Sequence, residues 1–396
     1  MSGDDNCRMT GSSGKSDYER FIGPDKRRVR LPRGLAAVVA LIALVLGAGL
    51  IVLYPRDQVQ IDRTFFGFVD GVESAEVADI REMPCDFDPA VVCTRVSFSY
   101  QPEGSLEPEF HLQDFTSDIG ASTFEIGDRV FLGFTEGEDG SKTYNYYDRD
   151  RLWVLGLVGL VFAAAVIGLG RLRGVAALAG LVISLAVLFW FIVPAVIAGR
   201  DAVAVAVVGG GLIVLIALYL AHGYTPLTHV AAIGAFTALA LTAVLSWLAI
   251  ALAKFTGFAS EESFYLAGLE NLEIGGLLLA GIVLGAIGAL DDVTVTQASA
   301  VWEVNRANPD LGRGELFASG LRVGRDHIAS TVNTLLLAYA GAALPLLILF
   351  SLSGLPPGVV ASSEVIAVEI VRTLVGSIGL VAAVPITTWL AARRLA

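Results

Sequence analysis

An aspartate pair, Asp291 and Asp292, stands near the end of an apolar run that begins at residue 275. Steps of three or four residues relate Asp292 to Gly281, Gly285, Gly288, Thr296, Ser299 and Glu303. These residues therefore share one face of a helix, from which Asp291 is rotated by about 100°. Glycines let a second helix approach closely and shield the polar residues of the same face from lipid. The pattern predicts a cation or proton site at Asp292; the alternative is that both aspartates mark a solvated helix end.

A second polar stripe precedes the next apolar run. Asp326, Ser330 and Asn333 are separated by four and three residues and fall on one helical face, with His327 beside them. Together with the aspartates and His222 they offer carboxylate and imidazole ligands for a divalent cation. The spacing matches no metal motif, so we predict no metal, and a structural or solvated role for His327 is favoured. The residues predicted to form a translocation or ion site are Asp291, Asp292, Thr296, Asp326 and Asn333.

Two ionisable residues of the last apolar run can neutralise each other. Glu369 and Arg372 are three residues apart, a spacing at which a helix places an acid and a base side by side. Ionisable groups inside a membrane span cost roughly 2.5 to 3.5 kcal/mol each, so each requires a partner or a function. We expect a buried polar pair; the alternative is that Arg372 contacts an anion or a substrate.

Catalytic motifs are missing from the sequence. It contains no HExxH, no GxSxG and no P-loop, the patterns that would supply a metalloprotease, a serine hydrolase or an ATP-driven pump. We therefore predict neither an enzyme nor a cofactor. If transport consumes energy, we expect an ion gradient to supply it.

The polar residues described above need elements that hold them in apolar surroundings. Of the 396 residues 55% are hydrophobic and only 17% are charged, a balance that indicates a membrane protein. Residues 35–54 form an apolar run long enough to cross a hydrocarbon core of roughly 30 Å at about 1.5 Å per residue. Further apolar segments cover residues 152–170, 174–197, 202–220, 227–253, 275–298, 328–352 and 364–391. The sequence thus predicts eight spans.

An acidic region separates the first two predicted spans. Residues 56–151 contain 21 Asp or Glu against 8 Lys or Arg, which excludes nucleic acid as a partner because polyanions are bound through clustered bases. Short β-prone segments, separated by turn signals, occur at residues 64–69, 90–100, 129–134 and 143–147. We predict a small, barrel-like β domain outside the membrane. Cys85 and Cys93 should form a disulfide there; the alternative is two unpaired thiols.

The distribution of charge predicts the topology. The predicted regions are a cytoplasmic disordered basic tail (1–34), a signal-anchor helix (35–54), the extracytoplasmic acidic β domain (55–151) and a seven-helix membrane domain (152–396). A cleaved signal peptide is the alternative for the first helix. Basic loops fall on the side of the tail and acidic loops on the other, so the positive-inside rule places both termini in the cytoplasm.

Three stretches carry a resemblance to a known family. They are GAIGALDDVTVTQASAVWEVNRANPDL (285–311), GRDHIASTVNTLLLAYAG (324–341) and EIVRTLVGSIGLVAAVPITT (369–388). Together they resemble the YibE/F-like family of bacterial multi-pass membrane proteins. The resemblance implies the architecture, including a short extracytoplasmic domain after the first helix, but no molecular activity.

The sequence therefore predicts an all-α transmembrane bundle of eight spans with a small extracytoplasmic β domain, in the bacterial inner membrane. The predicted function is a secondary transporter or permease. A non-transporting scaffold or sensor, whose β domain binds an envelope ligand, is the alternative, and an intramembrane enzyme is the third. The expected partners are the lipid bilayer, an ion or small-molecule substrate, and an oligomeric or other membrane partner protein.

Overall fold

The computed structural model describes residues 33–56, 69–85, 88, 91–102, 107–116, 124–137, 139–268 and 272–395. Its strands are β1 (Gly71–Pro84), β2 (Val92–Tyr100), β3 (Glu109–Thr116), β4 (Arg129–Glu136) and β5 (Lys142–Arg149). Its helices are α1 (Arg33–Leu53), α2 (Leu152–Gly170), α3 (Leu172–Ile197), α4 (Ala202–His222), α5 (Pro226–Ala253), α6 (Glu261–Leu266), α7 (Ile274–Ala307), α8 (Arg313–Ala342), α9 (Leu344–Leu352), α10 (Pro357–Ser362) and α11 (Glu364–Leu395). Almost all of the predicted basic tail lies outside the described residues.

The strands form one antiparallel sheet in the order β3-β2-β1-β4-β5. Its two edge strands approach each other, because the side-chain oxygen of Gln113 in β3 accepts a hydrogen bond of 2.6 Å from the backbone N–H of Tyr146 in β5. The sheet is therefore a small half-barrel, a name we keep for residues 69–150.

Aromatic and β-branched side chains fill the half-barrel. Val96, Phe98 and Leu132 are fully buried, because successive residues of a strand point to opposite faces and these point inward. The ring of Phe98 stacks on Tyr146 at 5.9 Å and meets Phe115 edge to face at 6.4 Å. Burial of such large rings gives this small domain its core.

Two cross-strand links reinforce the half-barrel. Cys85 and Cys93 form a disulfide with a Cα–Cα distance of 4.9 Å, which joins the end of β1 to β2. Arg95 and Asp114 make two hydrogen bonds of 2.6 Å across β2 and β3. The pairing of the two cysteines is the one that the sequence predicts.

Strands β1 and β3 are not among the β-prone segments predicted from the sequence. In β1 the alternation is interrupted between Val77 and Asp79, where the pairing with β2 shifts. Such a bulge breaks the period of two, and the inward position at Ala75 is filled by a small side chain. The predicted segment at residues 64–69 lies outside the described residues except for Val69.

Among the residues that the structure describes, seven helices are long and apolar enough to cross a membrane: α1, α2, α3, α4, α5, α7 and α11. The predicted span at 328–352 differs, because α8 and α9 are bent by 64° where one ends at Ala342 and the other begins at Leu344. Pro345 stands in the first turn of α9. A proline lacks the N–H that would continue the preceding helix, whereas the first turn of a new helix tolerates it. An eighth crossing exists only if this bent pair counts as one.

Small residues bring α5 and α11 into close contact. Gly234 of α5 faces Thr387 of α11, and Gly379 of α11 faces Thr242 of α5. A Cβ at either glycine would overlap the threonine. Close packing of this kind is the usual way in which helices associate where no water is present.

Gln297 connects three helices. It is 2% exposed, and its amide nitrogen donates to the backbone oxygen of Gly320 at 2.8 Å and to the hydroxyl of Thr388 at 2.7 Å. Thr388 in turn donates to the backbone oxygen of Val384 at 2.6 Å. This buried polar contact fixes α7, α8 and α11 to one another.

Candidate functional site

A cavity of about 700 Å³ lies between the first turns of α7, the bend between α8 and α9, and α11. We call it the Arg372 cavity. Its ionisable and hydroxyl-bearing walls include Glu262, Ser263, Tyr339, Glu369 and Arg372. Two acids and one base give these walls a formal charge of minus one. The cavity therefore favours a cation over an anion.

Glu369 and Arg372 form the ion pair that their spacing predicts. The Nη1 atom of Arg372 donates to the Oε1 atom of Glu369 at 2.8 Å, and each side chain is about one quarter exposed (28% for Glu369, 26% for Arg372). The Nε atom of Arg372 is buried and has no hydrogen-bond partner among the described residues. The pair is thus neutralised internally but retains one unused donor.

The small-residue face of α7 accommodates this pair and a tyrosine. A Cβ at Gly285 would lie 2.7 Å from the hydroxyl of Tyr339, and one at Gly281 would lie 3.9 Å from Nη2 of Arg372. Tyr339 and Glu369 also line a cavity of about 280 Å³ formed by residues of α8, α9 and α11. The two side chains therefore belong to the walls of two cavities.

A different cavity, of about 470 Å³, lies between α3, α4 and α7. We call it the Asp291 cavity. Its walls are aliphatic except for Ser184, His222 and Asp291. The Oδ1 atom of Asp291 is buried and has no hydrogen-bond partner among the described residues. An apolar cavity lined by a carboxylate that has no counter-charge is a candidate cation site.

The shielding expected at Asp292 is not present. Asp292, Gly288 and Thr296 are exposed, whereas Asp291 is partly buried. The reason is that α7 packs through its opposite, aliphatic face, which carries fully buried residues such as Leu290 and Val293. The glycine face has neighbours only near Gly281 and Gly285. The expectation that this face shields Asp292 is therefore wrong, and the shielded acid is the other member of the pair.

Of the remaining predicted site residues, the structure brings Thr296 to an aspartate but not Asp326 or Asn333. Asp326 and Asn333 are exposed on α8, and in the described part of the chain no hydrogen bond or ion pair joins either one to Asp291 or Asp292. Thr296 donates to the carboxylate of Asp292 over 3.4 Å. His327 is partly buried, and its Nε2 atom has no described partner. Asp326, Ser330 and Asn333 are all exposed on α8, as members of one polar stripe would be, but none of them lines the Asp291 cavity.

Sequence reasoning missed two residues of structural importance. Tyr339 lies within one of the family-like stretches, and it follows Asp326 and Asn333 along the same helix. Gln297 is a lone amide on an otherwise aliphatic face of α7, one turn beyond Val293 and one before Val301. A polar residue in the apolar period of a helix is the signal that could have identified it.

Within the described residues no group of three or more His, Cys, Asp or Glu side chains could hold a metal ion. This holds for both cavities. His222 and Asp291 line the same cavity, but two side-chain ligands would leave most of the coordination sphere of a divalent cation to water.

The half-barrel has a cavity of its own, of about 380 Å³, lined by Glu76, Tyr100, Arg129 and Asp150 among others. The hydroxyl of Tyr100 donates to the carboxylate of Glu109 at 3.0 Å. Burial, together with this carboxylate, raises the pKa of Tyr100 to about 12. The tyrosine therefore stays a neutral hydrogen-bond donor at any physiological pH.

The family model described as YibE/F-like protein matches residues 158–396, a region that includes the Arg372 cavity, the Asp291 cavity and all three of the family-like stretches. No curated protein and no solved structure matches the chain.

Proposed function

The chain belongs to the YibE/F-like family, and from that premise we propose that it is a multi-pass protein of the bacterial inner membrane that acts as a secondary transporter or permease for a cation. The observation that carries the proposal is the pair of cavities along α7. Each cavity has a net negative wall, and each is lined by residues of this helix.

The exposed surface of the helices supports a membrane location. No residue of α2 is buried, and Trp153, Leu160 and Leu169 are 70%, 67% and 94% exposed. A helix that is apolar on every side and packs against so little protein requires lipid around it. We propose that α1 to α5, α7, the bent pair α8–α9 and α11 cross the bilayer, which gives eight crossings.

The proposed orientation follows from charge. Arg171, Arg173 and Arg306 lie at or beside the helix ends on the side of the basic N-terminal region, whereas Glu261 and Glu262 lie on the side of the half-barrel. The positive-inside rule then places both termini in the cytoplasm and the half-barrel outside. A phosphatase that is active only outside the cytoplasm should work when fused near Gly140 and fail when fused after residue 396.

In this arrangement the Arg372 cavity faces the exterior and the Asp291 cavity faces the cytoplasmic half. Gly281 lies at the level of Arg372, and Asp291 follows it by ten residues, or about 15 Å along a straight helix. Tyr339 packs against Gly285 between these levels. A cation that leaves the outer cavity would pass this constriction before it reaches the unpaired carboxylate.

The broken helix at the outer cavity supplies an element that could move. Ala342 and Ala343 at the bend between α8 and α9 line the Arg372 cavity. Transporters commonly place interrupted helices at their binding sites, because the freed backbone groups and the hinge are both useful there. We therefore propose that a change in the bend alternately opens and closes the outer cavity.

Flux through purified protein in proteoliposomes tests the proposal. The panel should include protons, Na⁺, K⁺, Mg²⁺ and the organic cations tetramethylammonium and dodecylammonium, with protein-free liposomes as the baseline. Gradient-driven uptake of at least one cation above the baseline is the expected result. If the protein is inserted and folded and none of these cations moves, the transporter proposal fails.

A second candidate function, a sensor without transport, is favoured by one observation. The half-barrel cavity carries two acids and one base on a polar wall, as a ligand-binding site could. For this candidate, replacing Arg129 with alanine should abolish the response to an envelope ligand while any cation flux is unchanged. Cation flux by the unmodified protein would make the sensor candidate unnecessary.

A further inference from the structure

We propose that the Asp291 cavity binds an amphiphilic amine: a protonated ammonium group at Asp291 with an apolar chain along α3 and α4. The proposal names the class of substrate at the inner site of the transport route. As a substrate assignment, it rests on the proposed function. Binding itself is independent of whether transport occurs and is tested separately below.

The first argument is charge. Asp291 and His222 are the only ionisable residues among the described ones that line the cavity, and Oδ1 of Asp291 has no hydrogen-bond partner there. The neighbouring Asp292 is exposed and adds charge of the same sign. No Lys or Arg among the described residues pairs with Asp291, so its carboxylate is available to a cation from outside the protein.

The second argument is that the cavity is poorly equipped to bind a divalent ion that has lost its water. Ca²⁺ takes six or more oxygen ligands, and Mg²⁺ needs a full octahedron, which water must complete where the protein supplies few ligands. Besides Asp291, the cavity offers the hydroxyl of Ser184, which already donates to the backbone oxygen of Gly180 at 2.8 Å. Its remaining walls are aliphatic apart from His222. A single carboxylate suffices for an ammonium group, which brings its own three donors.

The third argument is the shape of the apolar part. The cavity volume of about 470 Å³ holds roughly 15 non-hydrogen atoms at the about 30 Å³ that a water molecule occupies in the liquid. Leucine and isoleucine side chains such as Leu181, Leu188 and Ile287 line it. An alkyl chain of about twelve carbons would fill this space and bury its apolar surface.

Dodecylamine is the probe. Its equilibrium binding, as the radiolabelled compound, is measured on the full-length protein in phosphatidylcholine nanodiscs, with empty nanodiscs to correct for partition into lipid. Dodecanol, which has the same chain without a charge, should show no saturable binding. The amine should saturate at one molecule per protein.

Three variants test the geometry. Asp291→Asn should weaken dodecylamine binding at least tenfold, Asp291→Glu should keep it within about threefold, and the matched control Asp292→Asn should change it less than twofold. Ala217→Leu, which fills the cavity without touching the carboxylate, should weaken binding to a similar extent as Asp291→Asn. Each variant is first shown to be monodisperse and inserted.

Several results would overturn the proposal. Equal binding by the protein and Asp291→Asn, or loss of binding only in Asp292→Asn, would remove the assigned contact. Saturable dodecanol binding would show that the charge is not recognised. Displacement of dodecylamine by phosphatidylethanolamine in the nanodisc would make the occupant a lipid headgroup rather than a free amine. Binding as expected without any flux would support the amine site and reject the transporter proposal. Flux of inorganic cations without amine binding would support the transporter proposal and reject the amine site.

Discussion

The half-barrel and the helical bundle differ at one partly buried acid, although both contain ion pairs. In the half-barrel the partly buried charges pair within the domain, as Arg95 does with Asp114 and Lys142 with Glu73. In the bundle Asp291 presents a buried oxygen with no described partner. A domain whose charges are satisfied internally can be rigid without a ligand, whereas an unpaired buried charge needs one. The contrast favours the bundle as the place of the proposed transport.

The largest effect is expected at the unpaired acid. Asp291→Asn should lower cation flux at least tenfold without unfolding the protein, because the amide keeps the size of the side chain but loses its charge. Asp292→Asn should leave flux within twofold, since Asp292 is exposed and lies outside the cavity. Initial rates in proteoliposomes measure both.

The opposite ranking of these two variants would restore the sequence-based expectation that Asp292 is the functional acid. It would also break the contrast between the regions, because Asp292 is an ordinary exposed acid.

The ion pair of the bundle should come next. Glu369→Ala leaves the partly buried guanidinium of Arg372 without its partner and should destabilise the bundle by about 3 kcal/mol, near the lower end of values for buried pairs because both side chains are partly exposed. The double variant Glu369→Ala with Arg372→Met should recover most of that loss. Unfolding of the solubilised protein is followed by circular dichroism; equal stability of the single and double variants would contradict the pairing.

A smaller effect is expected from the disulfide of the half-barrel. The replacement of Cys85 and Cys93 by serine opens a loop with a sequence separation of 8 and should destabilise the domain by about 2.5 kcal/mol. Amide hydrogen exchange in the full-length protein should speed up in β1 and β2. Flux should stay the same if the two regions divide structure and transport as proposed.

The smallest effect concerns pH. The hydrogen bond from Arg95 holds the pKa of Asp114 below its ordinary value, so this pair stabilises the fold above the unfolded pKa of about 3.9, and the contribution is lost as the pH falls through the folded pKa. Arg95→Met should weaken the half-barrel by about 1 kcal/mol at neutral pH. It should also reduce the loss of stability below pH 4, measured by hydrogen exchange in β2 and β3.

Much of the secondary structure follows from local pattern alone. Runs of apolar residues predict the positions of the long helices to within a few residues at most ends, because a helix that must hide its backbone from lipid reveals itself by composition. The spacing of Glu369 and Arg372 likewise predicts their pair. Strand β1 escapes such reasoning, since its bulge after Val77 breaks the alternation.

The sequence shows a proline near the bend at Ala343, but it does not show whether that proline breaks the helix. Pro345 is visible, yet so are Pro194, which stands in α3 just after its π-helical turn, and Pro385, which lies inside α11 without ending it. A proline removes one donor everywhere, but whether the helix breaks depends on what packs around it.

The sequence by itself determined which parts the protein contains: an apolar helical chain, an acidic domain of strands and a pair of aspartates in α7. It also determined a family resemblance, which the match over residues 158–396 supports. Only the tertiary structure decided which aspartate is shielded. Both faces of α7 are plausible from residue types, one rich in glycine and the other in aliphatic side chains. The aliphatic face packs against the bundle because it buries more apolar surface, and that rotation places Asp291 on the wall of a cavity and leaves Asp292 outside it.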